Sequence, residues 1–249
     1  MITLAPHLAE MVCAVGGCGQ LVGVVEYTDF PAEAAAKPKI GNAFAADPER
    51  VLALRPDLVL AWDGGNPPAM TERLRSLGVP VRSLAVRSLD DVAARLLDIG
   101  GLLGREDQAC AVAQQYRDRL AALRTRYAGR PRLRVLYQIE VEPLFTINRT
   151  SPISEAIELC GGVNVFGGLP QLSAPVNKEA VLAADPDVVV FSRQDYVEQI
   201  RAFWARWPQA KAQARGHLYT VDANLLERQS PRLLDGVEQL CEVLEQARK

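Results

Sequence analysis

The chain contains only two histidines, and one of them lies where an imidazole could bind a metal centre. His7 follows Ala5 and Pro6 at the expected carboxyl end of a strand, and a neutral imidazole there can act as an axial ligand to a cofactor held nearby. The other interpretation of His7 is a solvated side chain at the start of a helix. His217 lies beside Gly216 at a predicted strand start, which indicates a surface position. Of the two histidines, His7 is therefore the candidate for a metal role, as an axial ligand to a bound cofactor.

The five cysteines allow more than one interpretation. They are Cys13, Cys18, Cys110, Cys160 and Cys241, and an odd number cannot be fully paired within one chain. None has the two-residue spacing typical of zinc and thioredoxin motifs. Five reduced thiols in apolar positions would be ordinary, because cysteine is often buried as a small hydrophobic residue. Composition alone does not pair them.

Sequence motifs of common enzyme classes are missing. The sequence has no glycine-rich loop before Lys-Ser/Thr, no His-Glu-x-x-His and no Gly-x-Ser-x-Gly. The run Gly16-Gly17-Cys18-Gly19 follows a predicted helix, whereas a dinucleotide-binding fingerprint precedes one. We therefore expect a protein that is not an enzyme.

Large aromatic residues lie on loops that follow predicted strands. In open parallel sheets, the loops beyond the carboxyl ends of the strands form the ligand site. The aromatic residues in such loops are Tyr27, Phe44, Trp62 and Phe145. Because they come from both halves of the chain, they predict a cleft that binds a large, flat, partly apolar ligand. The other interpretation is that Trp62 and Phe145 only cover the ends of their own sheets.

A repeat positions these loops. Residues 49–62 (ERVLALRPDLVLAW) and 179–192 (EAVLAADPDVVVFS) align without gaps. Each segment predicts a short helix, a Pro-Asp turn and a buried strand. A weaker similarity pairs residues 6–16 with 152–162. The sequence therefore predicts a duplicated α/β lobe.

A long helix lies between the two halves. Residues 105–128 contain no Gly or Pro, and their larger apolar residues have helical spacing: Val112, Tyr116, Leu120, Leu123 and Tyr127. At 1.5 Å per residue this helix would be roughly 36 Å long. We predict an α/β protein with an N-terminal lobe (1–104), a connecting backbone helix (105–128) and a C-terminal lobe (129–249). Both lobes are expected to be Rossmann-like, with mostly parallel sheets.

Some segments of the second lobe carry weaker signals. Residues 161–175 are glycine-rich without clear periodicity and are predicted as a loop. A helix is expected at 195–206, and another loop at 222–228 before a closing helix at 232–246.

Composition narrows the class of partner. The net charge is -2, no basic run is present and 49% of the residues are hydrophobic, so nucleic acid is not an expected partner. No stretch has the roughly 20 apolar residues needed to span a bilayer. The chain opens on a predicted strand at Ile2 without the features of a secretory leader. We expect either a cytoplasmic protein or a mature sequence from which a leader has been removed.

Several of these stretches resemble a known family. They are TLAPHLAEM at 3–11, YTDFP at 27–31, ERVLALRPDLVLAWDGGN at 49–66, LCGGVNVF at 159–166 and ERQSPR at 227–232. Together they resemble the periplasmic cobalamin-binding proteins of bacterial ABC importers, over essentially the whole chain and in order. The resemblance implies the class III substrate-binding fold, in which one helix joins two lobes. Proteins of that fold also serve haem and iron-siderophore uptake.

The resemblance also implies site residues. Those at a corrinoid-binding cleft and its rim would be Tyr27, Trp62, Phe145, Asn224 and Arg228. Cys160 and Cys241 would form a disulfide, which favours an oxidising compartment and a removed leader. A bridge that closes so long a loop would stabilise the fold by about 4–5 kcal/mol. Three free thiols would then remain.

Glu49 and Glu179 occupy the same position in the two repeats. A carboxylate in the first turn of a helix gains about 0.3–1 kcal/mol from the helix dipole, which would explain both residues. The resemblance implies another role, since in the family one such glutamate on each lobe contacts arginines of the membrane subunits. We favour docking, because a duplicated protein on a two-fold transporter needs matched acids.

Departures from the family pattern concern the cargo. The family has tryptophans at two cleft positions where this chain has Ala43, with Phe44 beside it, and Ala174. His7 also replaces a small residue. These differences leave room for a cobinamide precursor, another corrinoid or haem. A haem or iron-siderophore receptor of the same fold is the nearer alternative. A cytoplasmic enzyme or sensor is the more remote alternative.

The resemblance thus implies a periplasmic or lipid-anchored receptor. It would capture a corrinoid, either cobalamin or cobinamide, and deliver it to the permease subunits of an ABC importer. It would act as a monomer, carry no cofactor of its own and catalyse no reaction.

Overall fold

The computed structural model describes residues 1–192 and 196–249 and divides the chain into two compact units. The first unit consists of Met1–Val86, Asp90–Arg117 and Gln229–Pro231, and the second of Arg87–Leu89, Asp118–Arg228 and Arg232–Lys249. The sequence prediction placed the lobe boundaries at residues 104 and 129. It gave no signal for the return of Gln229–Pro231 to the first unit, where Ser230 donates a hydrogen bond to Glu10, 220 positions earlier.

The first unit contains a four-stranded parallel sheet. Its strands are β1 (Ile2–Thr3), β2 (Gly23–Val24), β3 (Val59–Trp62) and β4 (Val81–Leu84), in the order β2-β1-β3-β4. Ile2 is paired with Gly23 on one side and Val59 on the other. The carboxyl ends of all four strands therefore lie at one edge, where Trp62 ends β3 and from which the loops with Tyr27 and Phe44 extend.

Helices follow these strands, and apolar residues pack between them. The helices are α1 (Pro6–Ala14), α2 (Ala32–Ala35), α3 (Pro48–Ala53), α4 (Pro68–Ser76) and α5 (Leu89–Leu103), with a short 3₁₀ helix at Cys18–Gln20. Buried apolar residues of the sheet, such as Ile2 and Val59, form one core cluster with Val51 and Leu74 of the helices. The core thus fixes the strand ends from which the loops extend.

The second unit contains a second four-stranded parallel sheet and a small antiparallel one. Its strands are β5 (Leu133–Gln138), β6 (Phe145–Ile147), β7 (Gly162–Asn164), β8 (Ser173–Pro175), β9 (Val188–Phe191) and β10 (Leu218–Thr220). The parallel sheet has the order β10-β9-β5-β7, and β6 pairs antiparallel with β8. The α/β class with parallel sheets is confirmed. The prediction of a loop throughout 161–175 was wrong, because β7 and β8 lie within it.

The helices of the second unit surround a core that includes a fully buried tryptophan. They are α7 (Pro152–Leu159), α8 (Lys178–Ala184), α9 (Val197–Ala205), α10 (Lys211–Ala214), α11 (Ala223–Leu226) and α12 (Leu233–Ala247). Trp204 of α9 packs against Leu136 and Phe191 of the sheet. Asp195, the first residue of the helix expected at 195–206, lies outside the described residues. The segment 222–228, predicted as a loop, contains the short helix α11.

The two repeats fold alike within their own units. Asp47 caps α3 by accepting from the Glu49 and Arg50 amides, and Asn177 caps α8 by accepting from the Ala180 amide. The turn after each helix has a left-handed residue at the equivalent position, Arg55 (φ 44°) and Asp185 (φ 39°). The sequence repeat therefore extends to the backbone conformation of the turn.

The long helix predicted at 105–128 spans Glu106–Arg126 and is α6. The division between the two units falls inside it, after Arg117. In the second unit, the Arg119 guanidinium donates to Asp235 Oδ1 at 2.5 Å and also to Glu238, both on α12. Among the helices of the described residues, none is long and apolar enough to cross a membrane.

Two disulfides are present. One joins Cys160 to Cys241, the pair implied by the family resemblance, and the other joins Cys13 to Cys18, whose state the sequence left open. Cys110 is a free, exposed thiol. Three free thiols were expected with the Cys160–Cys241 bridge alone, and the second bridge reduces that number to one.

Candidate functional site

Trp62 ends β3 at the carboxyl edge of the first sheet, and its indole has a close fit with two neighbours. The His7 ring contacts it edge-on, with ring centroids 5.3 Å apart and planes at 87°. On the other side of the turn, a Cβ at Gly65 would overlap the Trp62 ring. Glycine is therefore required at position 65 because of close approach, and the indole is held in one place at the strand end.

Asn66 connects three segments at this edge. Its Nδ2 donates to the Leu4 carbonyl at 2.9 Å and to the Ala43 carbonyl at 2.7 Å, while its Oδ1 accepts from the Trp62 amide at 2.6 Å. The side chain is only 7% exposed, so these bonds form largely out of water. Asn66 thus fastens the end of β1, the loop before Phe44 and the Trp62 turn to one another. Sequence reasoning did not give it a role, although it ends the Trp-Asp-Gly-Gly-Asn motif.

Two aromatic side chains of the first unit have more than half of their surface exposed to solvent. Tyr27 is 79% exposed and has left-handed backbone (φ 63°), and Phe44 is 68% exposed. The Phe44 amide donates to the Asn42 carboxamide oxygen at 2.9 Å, which shapes the turn that presents the ring. Exposed aromatic rings at one sheet edge are a feature of surfaces that bind a partly apolar ligand.

Lys39 holds the segment that carries Tyr27. Its ammonium donates to the Thr28 carbonyl at 3.0 Å. Burial lowers the pKa of the Lys39 ammonium, and the Asp29 carboxylate opposes that shift. This hydrogen bond links Lys39 to the residue that follows Tyr27 and so helps to hold the Tyr27 loop in place.

His7 is buried, with 4% of its surface exposed, so it is not the solvated histidine of the alternative interpretation. It lies in the first turn of α1, and its ring contacts that of Trp62. In the part of the chain that the structure describes, no cluster of three His, Cys, Asp or Glu side chains could hold a metal ion. A metal role for His7 stays a prediction that requires a bound cofactor.

In the second unit, Phe145 begins β6 and is half-buried opposite Pro175 of β8. The next residue, Thr146, donates its hydroxyl to the Tyr137 carbonyl at 2.7 Å. This bond attaches β6 to the central strand β5. Phe145 is therefore on a short strand fixed to the main sheet.

Asn224 and Arg228, which the resemblance placed at a rim, contact each other. The Arg228 guanidinium donates to Asn224 Oδ1 at 2.7 Å, and the backbone N–H of Asn224 donates to Asp222 Oδ1 at 2.8 Å. Asn224 is exposed and Arg228 half-buried. The short helix α11 and the residues just after it thus present a side-chain amide and a guanidinium side by side.

A buried hydroxyl pair fastens this segment to the sheet. Tyr137 of β5 and Ser192, just after β9, are fully buried, and their hydroxyl oxygens are 2.7 Å apart. Tyr137 donates to Glu227 Oε1 at 2.9 Å, and Ser192 donates to the same oxygen. Sequence reasoning missed this group; the only signal was Ser192 at the end of the second repeat.

Glu49 and Glu179 are exposed in the first turns of α3 and α8. The capping bonds of those helices come from Asp47 and Asn177, so neither glutamate side chain acts as the cap. Over the described ranges, the Glu49 carboxylate has no hydrogen bond or ion pair, and Glu179 approaches only Lys178, at 3.9 Å. Both carboxylates are available to a partner.

The sequence and the fold match known binding proteins. Residues 1–225 match the family model described as periplasmic binding protein. The chain is 33% identical to the vitamin B12-binding protein of Vibrio cholerae serotype O1 over 250 positions, which cover 100% of this chain and 90% of that protein.

Solved structures of periplasmic binding proteins have the same fold as this chain. The crystal structure of the periplasmic vitamin B12 binding protein of Vibrio cholerae matches with a TM-score of 0.92 at 33% identity, covering 100% of this chain and 97% of that one. A periplasmic heme-binding protein from Pseudomonas aeruginosa matches with a TM-score of 0.82 at 28% identity, covering 96% and 90%. The fold is therefore shared by binding proteins for two kinds of ring-shaped ligand.

Proposed function

This chain belongs to the periplasmic binding protein family, and we propose that it is the substrate-binding protein of an ABC importer for a corrinoid, either cobalamin or cobinamide. The similarity to the vitamin B12-binding protein along its whole length supports this cargo. The observation that carries the proposal is the group of aromatic residues at the first sheet edge, where Asn66 fastens Trp62 to the loop that presents Phe44. The corrinoid is cargo, and the protein needs no cofactor of its own.

Cargo contacts are proposed for each unit taken by itself. In the first unit these are the aromatic side chains of Tyr27, Phe44 and Trp62. In the second, Phe145 supplies apolar surface, and Asn224 with Arg228 supplies polar groups. Burial of apolar surface contributes roughly 25 cal/mol per Å², so covering a flat ring with several aromatic side chains provides most of the binding energy. The polar groups orient the substituents of the ring.

Delivery requires recognition by the permease, and we assign that role to Glu49 and Glu179. Their equivalent places in the two repeats suit a transporter with two related membrane subunits. Both carboxylates are exposed, and the caps of their helices come from other side chains. Their charges can therefore pair with arginines of the membrane subunits.

A heme cargo is the second candidate, supported by the match to the Pseudomonas aeruginosa protein. An axial histidine would be expected to face the cargo, whereas His7 is 4% exposed and lies against Trp62. The corrinoid is therefore the better-supported cargo. The enzyme or sensor alternative is disfavoured by the family and by two disulfides, which are typical of an oxidising compartment. We place the protein in the periplasm; a lipid anchor would be an additional mode of retention there.

Calorimetric titration with cyanocobalamin, dicyanocobinamide and haemin tests the proposal. We expect a dissociation constant near or below about 100 nM for a corrinoid, equal to roughly 9.5 kcal/mol of binding free energy. If haemin is the one probe that binds, and His7→Ala abolishes its binding, the assigned function would change to haem uptake. Binding of none of the three would refute the assigned cargo.

A further inference from the structure

A pocket of about 480 Å³ lies beside Trp62 in the first unit. The loop 63–68 after β3, the first turns of α4 and Ser83 of β4 surround it. Besides the Trp62 indole N–H, the side chains there that can form hydrogen bonds are Asp63, Asn66, Thr71, Glu72, Arg75 and Ser83. The pocket therefore places polar groups next to the indole that is proposed to contact the cargo.

Glu72 and Arg75 are charged groups of this pocket whose charges are not paired with an opposite charge in the described part of the protein. They are three residues apart on α4, a spacing at which a carboxylate and a guanidinium often pair. Here they do not: Arg75 Nη1 donates a long hydrogen bond to Thr71 Oγ1 at 3.5 Å, and Nη2 donates one to Ser83 Oγ at 3.4 Å, which leaves other N–H groups of the guanidinium for a ligand. Within residues 1–192 and 196–249, neither Glu72 nor Arg75 forms an ion pair.

The carboxamide of Asn66, which also lines the pocket, is already hydrogen-bonded within the protein. Both polar atoms of Asn66 bind backbone groups, which leaves the ligand a carboxylate acceptor from Glu72 and a guanidinium donor from Arg75. A primary carboxamide has one carbonyl acceptor and two N–H donors, so it can bind both at once. A ligand carboxylate would gain from Arg75 but would be repelled by Glu72 and by Asp63, which also lines the pocket.

We propose that this pocket is a carboxamide subsite, in which Arg75 donates to the carbonyl oxygen and Glu72 accepts from the amide nitrogen of a side chain on the cargo ring. This inference rests on the proposed function and deepens it. The edge of a corrin ring bears carboxamide side chains, whereas haem bears carboxylates. The subsite thus selects an amidated corrinoid and disfavours both haem and corrinoids with a hydrolysed amide.

The test compares wild type with Glu72→Gln and Arg75→Met, and with Arg73→Met as control. Arg73 is exposed on the same helix and does not line the pocket. The titrated probes are cyanocobalamin, its isomeric monocarboxylic acids, in each of which one amide is hydrolysed, and haemin. All three side chains are exposed, so the midpoints of thermal unfolding should match wild type.

In wild type, we expect at least one monocarboxylic acid to bind about tenfold more weakly than cyanocobalamin, the size of one hydrogen bond to a charged group. Glu72→Gln should remove most of that difference, because a glutamine can donate to the acid. Arg75→Met should weaken cyanocobalamin binding about tenfold, and Arg73→Met should leave it unchanged.

The outcomes separate this inference from the proposed function. Suppose that cyanocobalamin binds tightly, that Glu72→Gln and Arg75→Met do not change its affinity, and that all the acids bind as tightly as cyanocobalamin. That result would overturn the carboxamide subsite but would leave the proposed corrinoid receptor intact. If the wild-type protein prefers haemin, or binds none of the probes, both the carboxamide subsite and the proposed corrinoid function would be overturned.

Discussion

The phenol of Tyr137 donates a hydrogen bond to the carboxylate of Glu227 across 2.9 Å. Through this bond the central strand β5 holds the segment that carries Asn224 and Arg228. The Tyr137 carbonyl also accepts from Thr146, next to Phe145, at 2.7 Å. One buried residue therefore positions both parts of the candidate site in the second unit.

We predict that Tyr137→Phe weakens ligand binding a few-fold and lowers the free energy of unfolding by about 1 kcal/mol, the value of one hydrogen bond. The ring remains, so the packing of the core is kept. Urea denaturation and calorimetric titration measure the two effects. Tyr219→Phe on β10 is the control, because the Tyr219 phenol has no hydrogen bond in the described part of the second unit. Equal effects of the two substitutions would contradict the positioning role.

Gly65→Ala tests the contact between Gly65 and the Trp62 indole. A methyl group there would overlap the ring, so the indole must move from its place at the end of β3. We expect corrinoid affinity to fall at least about tenfold, a loss of roughly 1.4 kcal/mol, in a titration with cyanocobalamin.

Gly19→Ala is the matched control, since a Cβ at Gly19 has open space around it. It should bind as wild type does. An unchanged affinity in Gly65→Ala would show that the cargo does not require the Trp62 indole in this place.

The two carboxylates assigned to docking are tested together. Glu49→Ala with Glu179→Ala should abolish uptake by proteoliposomes that contain the cognate importer, because the paired charges are lost on both repeats. Cyanocobalamin affinity should stay the same. Alanine is a good helix former, and the caps at Asp47 and Asn177 remain, so the helices are kept.

The control for docking is Glu106→Ala with Glu158→Ala, which removes two exposed carboxylates from α6 and α7. Transport should then continue at the rate of wild type. If the Glu49 and Glu179 variant also transports normally, those residues contribute only to their helix dipoles.

Local sequence signals predicted the regular elements well where the pattern was periodic. The long helix was predicted at 105–128 and spans Glu106–Arg126. The repeat at 179–192 was predicted as a short helix, a turn and a strand, and it contains most of α8 (Lys178–Ala184) and all of β9 (Val188–Phe191). The segment 161–175 was missed because β7 and β8 have three residues each, too few for alternation to be visible. The motifs also predicted the family correctly.

The side chains that position the site were harder to predict. Asn66 and Glu227 lie in motifs that were recognised, but their partners are distant in sequence: Leu4 is 62 positions from Asn66, and Tyr137 is 90 from Glu227. A polar residue in a loop gives no sign of which buried carbonyl or hydroxyl it will bind. Such contacts follow from the fold and not from local propensity.

A thiol count tests the disulfides. We expect one reactive thiol, that of Cys110, when the protein is denatured without a reductant, and five after reduction. A count of three would mean that only one of the two bridges forms, and five without reductant would mean that the protein matures in a reducing compartment.

The two bridges should differ in their effect on stability. Cys160 and Cys241 are 81 positions apart, whereas Cys13 and Cys18 are 5 apart. In the chain-entropy description, removing the first bridge should cost about 4–5 kcal/mol and removing the second about 2 kcal/mol, because the longer loop loses more freedom when closed. Urea denaturation of the two double-alanine variants measures this, with Cys110→Ala as the control that should change little. Equal losses from the two bridges would show that local packing, and not loop closure, determines their contributions.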